Sequence, residues 1–489
     1  MCLSRGAHQP KGQLRSGRCA QTPRRSCMNP EFKRNLWLEI SPARLFTMPL
    51  VLTLIGLLVV SLNLDDPHGS LFMAFAVLFI GLTVGWGSLL VVSSINNEVS
   101  ERTWDQQRLS ALTPWQMAWG KLFGSAAYAW YGGLLCALVA VVAALAGPAF
   151  WSRSVWLLVG AVGAVALHAW LMASRLHTLD IRSEKASGMA SRLFGLFLAL
   201  QTLPMIFMVL RDPASPDIGA VGNWWGLGLP LSIQSLLVAL LLLALGLLAL
   251  WRSMGKQLMV RAVPWAWVTG VAGMGWVLAG FLPQSAWGST LWMTMAGVAL
   301  ASTYVALFTE ANTRLVWQAV LYHRAHSPAR RLWQALPLWP LSWGLTALFL
   351  LAFTLAGGTS GGRSDPPPLE LGSLMWLALL HTLRDCGIYH FFAFRHTIRK
   401  PAAMTLLTLF VLGVVLPGLA IGAAPALTPW IEPFFGINEL IEGKASLGMN
   451  VWLAMWSHLL LIAGLVGWRW SVGAPVVQGA QASDPNATS

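Results

Sequence analysis

Long apolar runs separated by short polar connections make up most of this chain. Many of the runs reach about 18 residues, the length that an α-helix needs to cross a hydrocarbon core about 30 Å thick. The polar–apolar alternation of a membrane β-barrel is absent. The pattern therefore predicts an all-α polytopic membrane protein with about twelve transmembrane helices. These are expected at 46–64, 71–95, 122–146, 154–174, 193–210, 230–251, 265–283, 287–309, 339–356, 370–391, 402–424 and 448–468.

Composition agrees with a membrane protein. Of the 489 residues 56% are hydrophobic and only 10% are charged, whereas soluble proteins carry about 25% charged residues. Many of the 27 tryptophans lie near the ends of apolar runs, as in an interfacial aromatic belt. The five cysteines show neither a disulfide framework nor metal-ligand spacing, so no metal site is expected.

Basic residues indicate how the chain is oriented. Residues 1–27 hold six of them and no acid, and they lack the apolar core of a secretory signal. The chain from Met28 onward resembles a natural start, so we expect 1–27 to be a tail outside the folded unit. Of the remaining Lys and Arg, 22 fall on one side of the predicted spans and 4 on the other. This bias predicts that both termini are cytoplasmic, and it explains the net charge of +13 without a nucleic-acid partner.

A polar island interrupts the apolar pattern between the second and third predicted spans. It runs from Asn96 to Lys121 and reads NNEVSERTWDQQRLSALTPWQMAWGK. An i,i+4 pair of Glu98 and Arg102 supports a helix from its start, and Thr113-Pro114 interrupts that helix. Because its charges are mixed rather than purely basic, the island favours a cytoplasmic interaction surface over an ordinary solvated loop.

The chain also divides into two halves of similar layout, 28–254 and 255–489. Each half opens with a basic, Trp-bearing amphipathic stretch, and each has a cytoplasmic loop that begins with Glu after its second span. Glu310 and Arg314 occupy that loop in the second half, as Glu98 and Arg102 do in the first. The pattern predicts two six-helix repeats, an arrangement common in transporters.

The island resembles the membrane subunits of ABC exporters of the type-2 permease family. The resemblance covers residues 28–255 and, in layout only, the second half. It is carried by the opening MNPEFKRNLWLEISPARLF and by Glu98, Glu101, Thr103, Leu109, Leu112, Thr113, Pro114, Gly120 and Lys121. Trp104-Asp105 departs from the family's pattern, and the loop from Glu310 to Pro337 lacks both Thr-Pro and Gly-Lys.

This resemblance implies an N-terminal interfacial helix, a cytoplasmic coupling helix and a place in the bacterial inner membrane. It implies a separate ABC ATP-binding subunit as partner, and a fused pseudo-dimer or a homodimer surrounded by membrane lipids. Glu310 and Arg314 would belong to a second candidate coupling loop. The surface that docks on the ATPase would consist of Glu98, Glu101, Arg102, Thr103, Arg108 and Pro114.

Other functional classes fit the sequence less well. No phosphate-binding Gly-x4-Gly-Lys-Ser/Thr motif occurs, so ATP would be bound by the partner, and we expect no cofactor in this chain and no enzyme activity of its own. A twelve-span secondary transporter is the alternative, although its typical Gly- and Asp-Arg-bearing loop between the second and third spans is absent. Ionisable residues within spans are candidates for a transport role; they are His168, His381, Arg384, Asp385 and His458.

Overall fold

Helices make up almost all of the structure. A computed structural model describes residues 29–109, 112–147, 150–179, 221–260, 264–282, 287–310, 312–356, 371–395, 398, 400–431 and 448–472. The helices are α1 (Pro30–Glu39), α2 (Pro42–Leu62), α3 (Pro67–Ser100), α4 (Thr103–Arg108), α5 (Pro114–Gly124), α6 (Ala127–Leu145), α7 (Phe150–Thr178), α8 (Leu231–Gln257), α9 (Pro264–Ala279), α10 (Trp287–Thr309), α11 (Arg314–His326), α12 (Ala329–Ala335), α13 (Leu338–Leu355), α14 (Leu371–Ala393), α15 (Pro401–Ala423), α16 (Thr428–Ile431) and α17 (Met449–Val472). Two-residue strands β1 (Val221–Gly222) and β2 (Leu229–Pro230) pair antiparallel before α8.

Within the described ranges, nine helices are long and apolar enough to cross a membrane, which confirms an all-α polytopic membrane protein. They are α2, α3, α6, α7, α8, α10, α13, α15 and α17. The predicted span 193–210 lies outside the described residues. The predicted span 265–283 forms α9, whose 16 residues extend only about 24 Å. The predicted span 370–391 forms the 23-residue α14, which is long enough but interrupted by charged and histidine side chains. The count of twelve remains a prediction.

Proline and a polar cap mark the start of several helices. Ser41 accepts a hydrogen bond from the Arg44 amide at the start of α2, and Asp66 accepts one from the Gly69 amide at the start of α3. Each cap precedes a proline in the first helical turn, where the missing amide proton costs no hydrogen bond. Asp66 therefore has a structural role.

The buried core is divided among several clusters along the bundle. One cluster joins α3, α4, α5, α7 and α8, and a second joins α2, α3, α6 and α7. Further clusters join α9, α10, α13 and α14, and then α14 and α17. Among the described residues no cluster has a buried core drawn from both sides of the boundary at 254/255, while α8 and α9 still touch where Gly273 faces Leu245. The division of the chain into two six-helix repeats remains a prediction.

A π-helical turn lies inside α3 at Gly81–Trp86, where the i,i+4 hydrogen-bond pattern is broken. His168 of α7 is buried, and its Nε2 lies 3.0 Å from the backbone oxygen of Thr83 in this turn. Since a carbonyl can only accept, Nε2 donates the proton. A Cβ at Gly87 would come within 2.9 Å of the His168 ring, so glycine is required there. His168 therefore joins two spans.

Candidate coupling site

The N-terminal helix α1 presents a polar face inward and an apolar face outward. Glu31 and Asn35 are buried, whereas Trp37 is 82% exposed. Asn29 caps the helix by accepting hydrogen bonds from two backbone amides, and its Nδ2 donates to the backbone oxygen of Gln116 at 2.6 Å. An apolar outer face suits a helix at the membrane interface, and the inner polar face requires polar partners from elsewhere in the chain.

Helix α5 comes close to α1 because two glycines line its near side. A Cβ at Gly120 would lie 2.7 Å from Cβ of Glu31, and one at Gly124 would lie 2.6 Å from Cβ of Asn35. Both distances are shorter than carbon atoms tolerate. The small-x-x-x-small spacing therefore allows the two backbones to approach closely.

Lys121, between these glycines, has no exposed surface and lies among carboxylates. Its Nζ is 2.9 Å from Oε1 of Glu31 and 2.5 Å from Oε2 of Glu98. Arg34 lies on the other side of the same carboxylates, 2.9 Å from Oε1 of Glu31 and 2.5 Å from Oε1 of Glu98. These four residues, called the four-charge network below, hold two positive and two negative charges.

The neighbouring charges set the pKa of both Glu31 and Arg34. Burial raises the pKa of Glu31, but Lys121 and Arg34 more than offset that effect and leave this pKa below its ordinary value. Burial lowers the pKa of Arg34, and the two carboxylates reverse this and leave it raised. Glu31 therefore stays ionised at neutral pH.

The island follows a different path from the predicted one. Helix α3 extends into the island but ends at Ser100, and Arg102 adopts the left-handed backbone conformation with φ of 59°. The predicted Glu98–Arg102 pair does not support a helix there, because Glu98 bonds to Arg34 and Lys121 instead. The predicted single helix to about Leu112 is therefore wrong: it breaks at Arg102 and resumes as the short α4.

Helix α4 is attached to the network through Trp104. This side chain is buried, and Nζ of Lys121 lies 5.3 Å from its ring centroid, within the range of a cation–π interaction. The Thr103 hydroxyl also donates to the backbone oxygen of Glu98 at 3.2 Å. Asp105, the residue after Trp104, is largely exposed and lies 3.5 Å from Arg108.

The predicted break at Thr113-Pro114 coincides with the start of α5. Thr113 and Gln116 form a capping box, in which each side chain bonds to the other's backbone amide, and Pro114 occupies the first turn. Asn29 meets α5 at this same turn. The segment that contains α4 is therefore held at both ends: Thr103 and Trp104 contact Glu98 and Lys121 at its start, and Asn29 of α1's cap contacts the first turn of α5 at its end.

The six predicted docking residues fall into two groups. Glu98 is buried in the four-charge network and cannot touch a partner directly. The other five reach the surface of the island, with Glu101 and Arg102 exposed and with Thr103, Arg108 and Pro114 half-buried. Sequence reasoning missed Glu31, Arg34 and Trp104. For Glu31 and Arg34, the sequence did hold a signal: the Gly120-x-x-x-Gly124 spacing around a lysine, which predicts a close helix contact near a buried charge.

The two named residues of the second candidate coupling loop, Glu310 and Arg314, make contacts with other helices of this chain. Glu310 lies 3.6 Å from Nζ of Lys256 in α8, and its Oε2 accepts a hydrogen bond from the Leu338 amide at the start of α13. Arg314 lies over the ring of Trp470 in α17, 5.1 Å from its centroid. Glu310 therefore connects the end of α8 to the start of α13, and Arg314 connects α11 to α17.

Polar residues within α14 form a separate buried group. Arg384 and Asp385 pair at 3.0 Å, and the Tyr304 hydroxyl of α10 donates to Asp385 at 2.7 Å. His381 is also buried, and Nε2 of His458 lies 2.8 Å from the backbone oxygen of Trp430. Within the described ranges no group of three His, Cys, Asp or Glu could hold a metal ion.

Comparison with known proteins identifies no relative. No family model, no curated protein and no solved structure matches the chain. Its function must therefore be inferred from its own residues.

Proposed function

We propose that this chain is the membrane permease subunit of an ATP-driven exporter, coupled to a separate ATP-hydrolysing subunit through the exposed face of its polar island. The observation that carries the proposal is the four-charge network beneath that face. A small exposed helix lies on a buried ionic cluster that joins it to an interfacial helix and to two longer helices. An ordinary solvated loop has no need of buried charges, since their desolvation is costly.

The contacts suggest how force would pass from the partner to the membrane. Trp104 of α4 packs in the same core cluster as residues of α3, α5, α7 and α8. Asn96 at the end of α3 also accepts a hydrogen bond from Arg175 of α7. A partner that pushed on Glu101, Arg102 and Asp105 would therefore move span ends and not only a loop. A hydrophobic or lipid-like cargo suits a chain with so few charges inside its spans.

Charge reversal at the exposed acids tests this docking surface. Glu101→Lys together with Asp105→Lys changes the surface and leaves the four-charge network intact. We expect the tagged, detergent-solubilised chain to co-purify with an ATP-hydrolysing subunit, and the double variant to lose roughly tenfold or more of it, because like charges across an interface are costly. Glu98→Lys is a poorer test, since it places a third cation beside Lys121 and Arg34 and perturbs folding.

Asp65→Lys is the matched control, because it reverses an exposed acid in the connection between α2 and α3, at the far end of α3. It should leave the partner bound. If the wild-type chain purified alone and moved solute without ATP, the proposed exporter function would be wrong. A twelve-span secondary transporter would then be the better explanation.

A further inference from the structure

The connection between α10 and α13 has a different character from the polar island. Residues 312–337, called the basic element below, contain α11 and α12 and no acidic residue. They carry four arginines and two histidines, which are Arg314, Arg324, Arg330, Arg331, His323 and His326. With 13 and 7 residues, neither helix is long enough to cross a membrane.

One side of the basic element is fixed to the ends of the spans. Val320 is buried, and the Trp317 ring packs against Trp339 of α13 and His390 of α14. Asn312 donates to the backbone oxygen of Leu307 at 3.1 Å, which holds the start of the element against α10. The element is therefore seated at the cytoplasmic end of the bundle and cannot extend far into the cytoplasm.

The opposite side exposes apolar and basic groups together. Leu315 and Tyr322, seven residues apart on one face of α11, are 75% and 60% exposed, and Trp333 of α12 is 54% exposed. Arg324, Arg330 and Arg331 are exposed beside them. Contact of such large apolar side chains with water is unfavourable, and more than half of each remains exposed although His326 stacks on Tyr322.

We propose that the basic element binds the anionic headgroups of the cytoplasmic leaflet, with its exposed apolar side chains inserted at the level of the headgroups. Charge complementarity selects this occupant. Basic residues next to exposed Leu, Tyr and Trp are the composition of an interfacial amphipathic helix, and each arginine near an anionic surface strengthens binding roughly fivefold. The polar island, by contrast, has Glu101 and Asp105 at its surface, which an anionic membrane would repel. The basic element would then anchor the second half, whichever kind of transporter this chain is.

Lipid-selective fluorescence quenching tests this assignment. The full chain, with its native cysteines replaced, carries Tyr322→Cys labelled with a fluorophore and is placed in phosphatidylcholine nanodiscs. Headgroup spin-labelled phosphatidylglycerol or phosphatidylcholine is then added at equal mole fraction. We expect phosphatidylglycerol to quench the label about fivefold or more strongly than phosphatidylcholine. A label at Asp105→Cys is the matched control and should show no preference.

The arginines are then changed as a group. Arg324→Gln, Arg330→Gln and Arg331→Gln together should bring the quenching ratio close to one, whereas the three Arg→Lys changes should preserve it. All three side chains are exposed, so both variants should fold. An undiminished ratio in the Gln variant would overturn the proposal. It would equally be overturned if spin-labelled lipid failed to quench the label and an ATP-hydrolysing partner shielded it from iodide, since the element would then be a protein-docking surface.

Discussion

Removing the charge of Lys121 should destabilise the protein strongly, because this side chain has no exposed surface and touches two carboxylates. Lys121→Met leaves Glu31 and Glu98 buried with Arg34 as the one cation that remains in the four-charge network. Breaking a buried ion pair by removing one partner costs about 3–5 kcal/mol. We therefore expect a fall of that size in the free energy of unfolding in detergent, compared with about 0.5 kcal/mol or less for Lys33→Met on the exposed face of α1.

The second substitution of the cycle decides whether charge balance is the cause. In Glu98→Gln with Lys121→Met, the remaining Glu31 and Arg34 are still 2.9 Å apart and neutralise each other. The double variant should be more stable than Lys121→Met alone by about 1–2 kcal/mol, because it removes the carboxylate that Lys121→Met leaves uncompensated. If the two variants were equally stable, or if the double variant were weaker, the network would not depend on charge balance and the reasoning would be refuted.

Two further predictions concern the same site. Gly120→Ala should detach α1 or shift it, because the new Cβ would lie 2.7 Å from Glu31. Gly163→Ala in α7 is the control, since its new Cβ meets nothing within 4 Å. We expect a lower unfolding temperature and faster proteolysis near residue 30 for the first variant alone. Because the pKa of Glu31 is depressed in the folded state, its contribution to stability is complete above the ordinary value of 4.5 and is lost as pH falls through the lower folded value. Unfolding midpoints measured from pH 7 down to pH 3 should therefore fall less steeply for Glu31→Gln, and curves of equal slope would count against this role.

The sequence predicts the spans well because their signal is local. Nine predicted apolar runs correspond to helices able to cross a membrane, since about 18 apolar residues in succession suffice. The ends of the connecting elements are harder to predict. The helix breaks at Arg102, where Glu98 pairs with Lys121 and Arg34 instead of supporting the helix. Neither pairing can be predicted from the sequence around residue 100 alone.

The polarity of α1 is a second case in which local reasoning falls short. Its sequence predicts an amphipathic interfacial helix, for which a polar face toward water is the ordinary expectation. The polar face is instead covered by α5, through a close approach that depends on Gly120 and Gly124. The candidate docking residues were predicted from a local motif and its resemblance to a family, whereas Glu31 and Arg34, which contact Glu98 or Lys121, were missed because they come from a distant segment.

The separation of α1 from its partners along the chain has a consequence for how the protein is made. Asn29 and its partner Gln116 are 87 residues apart, which takes roughly 4–17 s to synthesise at 5–20 residues per second. During that interval Lys121 is not yet made and Glu98 is made only in its last part, so Glu31 and Arg34 lack these partners for most of it and their charges favour the aqueous boundary over the hydrocarbon core. The docking of α1 on α5 therefore cannot be complete until Lys121 has been synthesised.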